Sequence, residues 1–254
     1  MNAKTIGKKI AFYVGIVVVW EVVFLLHIIP EQAFPSPIQV GKTLVHEAAN
    51  GSLPYGIATS MWRLIVGLAI AITGGMILGI FMAKVETANQ TLGSLILGLQ
   101  SIPSVAWVPL ALIWFGPTDA GVIFVTVAGA LFAVSINTYS GIKNVPPTYL
   151  VAGKNMGASG FQLITNVMIP AAFPYLISGF KQGWAYAWRG VIAAEIIFSV
   201  VGLGFLLNTG KHYNDISQVT AILIVIMGIG ILVDGFVFKK IERNVMSRWG
   251  LTQV

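Results

Sequence analysis

The stretch from Leu64 to Ala83 constrains this chain more than any other feature. It is twenty residues long and contains no Asp, Glu, Lys or Arg. At ~1.5 Å per residue, a helix of that length crosses a ~30 Å hydrocarbon layer. Inside such a layer the backbone must satisfy its own polar groups, which leaves helices or closed barrels. Comparable runs cover residues 10–29, 92–115, 120–141, 172–201 and 219–238. Only 9% of the 254 residues are charged, against 56% hydrophobic, whereas a soluble domain carries roughly 25% charged residues. The pattern excludes an ordinary soluble enzyme, a disordered chain and a nucleic-acid binder. Alternating ten-residue strands are absent, which argues against an outer-membrane barrel. The predicted fold is all-α, with six membrane helices in one domain spanning residues 1–254.

The run from Ile10 to Ile29 is too long for a signal-peptide core and ends without a small-x-small site, so it is expected to be an uncleaved first span. Charge then predicts orientation. With the N-terminus inside, ten of the fifteen Lys and Arg residues fall on inner segments. Three (Lys42, Arg63 and Lys211) fall outside, and Lys181 and Arg189 lie within the fifth span. That bias obeys the positive-inside rule and places both termini in the cytoplasm.

Two connections are long. Residues 30–62 contain Phe34-Pro35-Ser36-Pro37 and then Ile38, Val40, Leu44 and Val45. They read as a turn followed by an amphipathic helix on the outer surface. Residues 142–171 are too polar to span. Pro146-Pro147 can start a helix there. Tyr149, Ala152, Met156 and Ser159 share one face of it, and Leu150, Gly153 and Gly157 another. An exposed helix so poor in charge and bulk reads as a docking element.

This loop carries a resemblance. Permeases of binding-protein-dependent ABC importers share a cytoplasmic motif, Glu-Ala-Ala-x3-Gly-x9-Ile-x-Leu-Pro. Ala152 matches its first Ala, Gly157 its Gly and Pro170 its Pro, with thirteen residues from Gly157 to Pro170 as in the motif. Val151, Gly153, Val167 and Ile169 depart from it, and Val151 removes a charged contact. Further matches occur in order: Phe34-Pro35-Ser36-Pro37, Ser60-x2-Arg63-x3-Gly67, Ile102-Pro103-x5-Pro109, Trp114-Phe115-Gly116, Gly157-Ala158-Ser159, Ala194-Glu195 and Gly202-Leu203-Gly204. Together the series resembles the sulfonate, taurine, nitrate and bicarbonate branch of these permeases. The resemblance implies a type I importer fold in a prokaryotic inner membrane. It also implies a second permease copy, two cytoplasmic ATPases that hold ATP and Mg, and an external solute-binding protein. Ala152, Gly153, Met156, Gly157, Ala158 and Pro170 become candidates for coupling to the ATPase. ATP-driven closure of the ATPases would then move the docked helices and switch the access of the cavity.

Charges inside spans are costly and face a bundle interior or water. Arg189 sits beside Trp184, Tyr186 and Trp188, and guanidinium suits planar oxyanions. Two readings stand open: an anion path, or an Arg satisfied by helix-end carbonyls or by Glu195 of a neighbouring copy. Arg189 and Glu195 are ~120° apart around a helix, so they cannot pair with each other along one face. Lys181, near the inner end, can snorkel, and Asp234 is assigned to the inner boundary. Glu195 is a gate or interface candidate, or a paired structural group. Pro103 and Pro109 are expected to break the third helix, with Ser101 and Ser104 re-satisfying carbonyls. Pro103, Ser104, Pro109, Trp184, Trp188, Arg189 and Glu195 are thus the candidates for a translocation path. Gly75/Gly79 and Gly179/Gly183 predict close helix packing.

No nucleotide site is expected. Ser36-Pro37-Ile38-Gln39-Val40-Gly41-Lys42-Thr43 ends like a P-loop, but Ser36 replaces the first Gly and no strand precedes it. There is no cysteine and no Gly-x-Ser-x-Gly or His-Glu-x2-His, so an intramembrane hydrolase lacks its parts. An autonomous secondary transporter or channel would want internal inverted repeats, and none is visible. A vitamin precursor remains an alternative solute.

Overall fold

The computed structural model describes residues 3–30 and 33–248, and every element among them is helical. The helices are α1 (Ala3–Leu25), α2 (Pro37–Ala49) and α3 (Ser52–Lys84), then α4 (Glu86–Gln100) and α5 (Ser104–Phe115). There follow α6 (Asp119–Lys143), α7 (Pro147–Asn155), α8 (Gly160–Phe198), α9 (Leu203–His212) and α10 (Ile216–Val245). A last helical segment, Lys239–Arg248, continues α10. The chain divides into two compact units, Met1–Thr59 with Val201–Met227 and Ser60–Val200 with Gly228–Val254.

Four helices are long and apolar enough to cross a membrane: α3, α6, α8 and α10. The bent pair α4–α5 makes a fifth if counted as one span. In α1 the apolar stretch is Ile10–Leu25, shorter than the expected 10–29. His27 ends that helix, because its φ of 50° leaves the right-handed region and its Nδ1 donates to the Leu25 carbonyl at 2.8 Å. The second span was expected at Leu64 but begins at Ser52, so Arg63 lies within a helix rather than in an outer connection. The fifth was expected over 172–201. It starts at Gly160 and stops at Phe198, where Ser199 turns to φ 53°. A π-type turn, Ile164–Met168, lies just before Pro170 and accommodates the missing N–H by changing the bonding register.

The third expected span is broken rather than kinked. Its halves meet at 99°. Pro103, extended at ψ 139°, opens a single tight turn, Ser104–Trp107. Ser101 Oγ donates to the Gly98 carbonyl at 2.7 Å, as expected of a serine beside a break. Pro109 breaks nothing: it occupies the first turn of a helix, where no N–H is required.

In the larger unit α6 is central, with half of its apolar window buried. Glycines on both sides let its neighbours approach. A Cβ on Gly75 would lie 2.8 Å from Val134 Cβ, and one on Gly79 only 2.5 Å from the Ser135 carbonyl oxygen. From α8, a Cβ on Gly179 would lie 2.6 Å from Asn137 Cβ, and one on Gly183 3.0 Å from Val134 Cγ2. The predicted small-residue pairs are therefore packing contacts.

In the smaller unit Ser36 caps α2 through a capping box. Its Oγ accepts from Gln39 N at 3.1 Å, and its own N donates to Gln39 Oε1 at 2.9 Å. Gly41 and Lys42 lie inside this helix, so the P-loop-like string forms no phosphate cradle. Trp20 Nε1 donates to the Pro35 carbonyl at 2.9 Å, tying α1 to that turn. Helix α9 was not anticipated from the sequence. It joins α10 through Asn214 at φ 58° and Asp215, whose Oδ1 accepts from Gln218 N at 2.9 Å.

Replacing Gly79 by Leu should destabilise the larger unit by about 1–3 kcal/mol through overpacking, seen as a lower unfolding temperature in detergent. Gly228→Ala, whose methyl meets nothing within 4 Å, should leave that temperature unchanged or slightly higher.

Candidate functional site: a charged cleft and a projecting helix

Three arrangements in the larger unit involve the candidate residues. The first is a cleft of about 690 Å³ walled by α6, α8 and α10. Trp184 and Trp188, one turn apart on α8, stack with ring centroids 6.1 Å apart and planes 7° from parallel. Arg189 is exposed on this wall. Among the described residues no carboxylate lies within ion-pair distance of it. Asn137 and Gln182 add amide groups. Asn137 Nδ2 donates to Gln182 Oε1 at 2.9 Å, and Gln182 Nε2 to the Tyr186 hydroxyl at 3.2 Å. Lys181 also lines the cleft, and its Nζ lies 3.0 Å from Asp234 Oδ1. The sequence assigns Asp234 to the inner boundary and does not single out Asn137 or Gln182. The available signal was their polarity inside otherwise apolar spans.

The second arrangement contains Glu195, which does not line this cleft. Its side chain is wholly buried. Ser60 Oγ donates to both carboxylate oxygens, at 2.9 and 2.8 Å, and Arg63 Nη1 donates to Oε1 at 2.8 Å. Arg63 also binds Asp119 Oδ1 through Nε at 2.8 Å and Nη2 at 2.7 Å. Ser60 and Arg63 are three apart on α3 and so share a face. Asp119 sits in the first turn of α6, where a carboxylate also suits the helix dipole. One guanidinium thereby joins three helices. The sequence placed Arg63 outside the spans, so this partner of Glu195 was not legible.

The third arrangement is α7. Helices of this kind end cleanly on a left-handed glycine, and α7 does. Gly157 has φ 87°. Its N–H donates to the Lys154 carbonyl at 2.9 Å, and that of Ala158 to Gly153 at 3.0 Å. This is the Schellman pattern. Gly153 faces inward: a Cβ there would lie 2.8 Å from Val167 Cγ2 and 3.1 Å from Leu163 Cδ1. The helix thus rests on the start of α8 through Gly153. Tyr149, Ala152 and Met156 are exposed on the other side, Met156 by 88%. Ala158 is half-buried and Pro170 lies within α8. Pro103 and Pro109 are exposed at the α4–α5 break, and Ser104 packs toward Gly129.

Several long apolar helices, one of them broken, among described elements that are all helical mark a multi-pass membrane protein. Residues 75–245 match the model of the binding-protein-dependent transport system inner membrane component, and the chain belongs to that family. It is thus an ABC transporter permease subunit of the inner membrane. The chain is 35% identical over 239 residues to a putative ABC transporter permease protein, MJ0413, of Methanocaldococcus jannaschii, covering 92% of this chain and 89% of that one. It is 26% identical over 232 residues to the putative aliphatic sulfonates transport permease protein SsuC of Bacillus subtilis, covering 91% and 84%. To the nitrate import permease protein NrtB of a Synechocystis species it is 30% identical over 212 residues, covering 80% and 77%. A chain in the inward-facing MetNI methionine ABC transporter shares the fold. The TM-score is 0.61 at 20% identity, covering 78% of this chain and 98% of that one. The expected type I permease fold is therefore correct.

Arg63→Met should cost about 3–5 kcal/mol, because it strands a buried carboxylate. Arg63→Met with Glu195→Met should recover part of that loss in the same thermal unfolding measurement.

Proposed function

We propose that two copies of this chain form the membrane path of an ATP-driven importer for a small anionic solute, such as a sulfonate, nitrate or bicarbonate. An external binding protein delivers the solute. Two cytoplasmic ATPases, which hold ATP and Mg, dock on α7; the chain itself carries no nucleotide. It crosses the membrane six times, counting α1 and the bent pair, with both termini in the cytoplasm.

Arg189 carries the anionic reading. It is exposed to the cleft, and no described carboxylate neutralises it. A guanidinium offers several fixed donors to an oxyanion and stays charged. The sulfonate and nitrate permeases among the relatives support the same solute class. A neutral vitamin precursor would leave that charge unused. For docking, the supporting observation is the bare Tyr149, Ala152 and Met156 face on a helix whose other face rests on α8. A push on α7 would pass directly to α8 and its cleft wall. That is the rigid coupling a two-state access switch requires.

Ala152→Arg should abolish co-purification of the ATPase by disrupting the docking face, with Gly157→Trp acting at its end. Retained binding in both variants would overturn the docking role. Arg189→Gln should lower uptake by the reconstituted transporter by about tenfold, equivalent to ~1.4 kcal/mol of lost interaction, with the ATPase still bound. Unchanged uptake would overturn the path through Arg189. Solute flux through the chain alone in ATP-free vesicles would overturn the ATP-driven reading.

A further inference from the structure

Two of the ion pairs in the larger unit are of opposite character. Arg63–Glu195 is sealed, with side-chain exposures of 4% and 0%. Lys181–Asp234 is wet, at 44% and 53%. Sealed pairs resist separation, because each charge would be left in a low dielectric. Wet pairs contribute little and exchange partners easily. Lys181–Asp234 also sits on the wall of the cleft that holds Arg189.

Lys181 and Arg189 are eight residues apart on α8, ~80° around the helix and ~12 Å along it. That is too far for one clamp on a small anion, but it suits two successive stations. Arg189 is the outer-numbered station. Lys181 lies nearer the Gly160 end of α8, which receives α7. Asp234 comes from a π-type turn, Val233–Phe238, in α10. Such turns are local changes of register that recur at functional points. Glu242, the other carboxylate on the wall, also lines a smaller recess with Pro174, Tyr175 and Ser178, toward that same end of α8.

We infer that Asp234 is a displaceable counter-ion that fills the second anion station when the cleft is empty. A passing oxyanion takes its place on Lys181. The exchange keeps Lys181 neutralised before and after passage, so the cleft never holds two unpaired cations and the anion is not trapped. It also releases the Asp234 turn from α8, which couples occupancy of the cleft to α10. The inference rests on the cleft being the anion route. It adds a residue and a step that this reading lacks.

The chain has no cysteine, so each copy can carry one reporter, whose labelling is read on this chain alone. Ser178→Cys lies on the cleft wall one turn from Lys181. In the full transporter in neutral-lipid vesicles, its labelling by uncharged N-ethylmaleimide is measured against rising nitrate, bicarbonate or ethanesulfonate. At least one anion should protect the reporter. With Asp234→Asn, the half-protecting concentration should fall about fivefold, the enrichment that one uncompensated charge gives an anion ~4 Å away in a water-filled cleft. Lys181→Gln should raise it, because the anion then meets the Asp234 carboxylate without the ammonium beside it. An unchanged concentration in Asp234→Asn, with weaker protection in Arg189→Gln, overturns the counter-ion and leaves the path reading intact. A fivefold fall in Asp234→Asn with no effect of Arg189→Gln overturns the Arg189 station alone. No protection by any of the three anions overturns both. Faster labelling of Asp234→Asn without added anion, and no change in half-protection, marks a merely loosened helix and also overturns the counter-ion.

Discussion

Apolar helices in hydrocarbon gain nothing by hiding from lipid, so what draws them together must be contact itself. The larger unit depends on that constraint. Its central helix, α6, meets α3 over Gly75 and Gly79 and α8 over Gly179 and Gly183, where added methyl groups would lie 2.5–3.0 Å from existing atoms. Because α6 is gripped from both sides, α8 is held where its tryptophans and cations wall a cleft. The short α7 inherits a rigid seat on the start of that same helix. The cleft and the exposed face of α7 therefore share one support.

Polar groups in this unit divide by access to water. Glu195 has no contact with solvent and is met by a hydroxyl and a guanidinium. A charge without such partners would cost several kcal/mol there. Arg189 and the Lys181–Asp234 pair face the cleft, where water or a solute can solvate them. The buried cluster ties helices together, and the exposed groups remain available to a ligand. The distinction lies in burial alone, since all of these residues occupy spans that look alike in hydropathy.

Local chain chemistry explains what was legible. The α2 start at Pro37, the α7 start at Pro147 and the stop at Gly157 are set by neighbours within a few residues. Hydrophobic runs mark α3, α6, α8 and α10 for the same reason. Ends set by distant packing or by an unusual φ were misjudged. His27 and Ser199 close their helices with left-handed backbone that neither residue type announces. Pro109 looked like a second break and proved to be a first-turn residue, because the tight turn after Pro103 had already restarted the helix.

By itself the sequence determined a helical membrane chain, the glycine seams, the bounds of the short α7 helix and, through its ordered motifs, the family. Those properties follow from composition and spacing, which act over one or two turns. Only the tertiary structure decided that Arg63 partners Glu195 across 132 positions, that Gly153 faces inward, and that Asp234 answers Lys181. Such pairings depend on which helix faces cross, and ridge and glycine contacts between distant segments set those crossings.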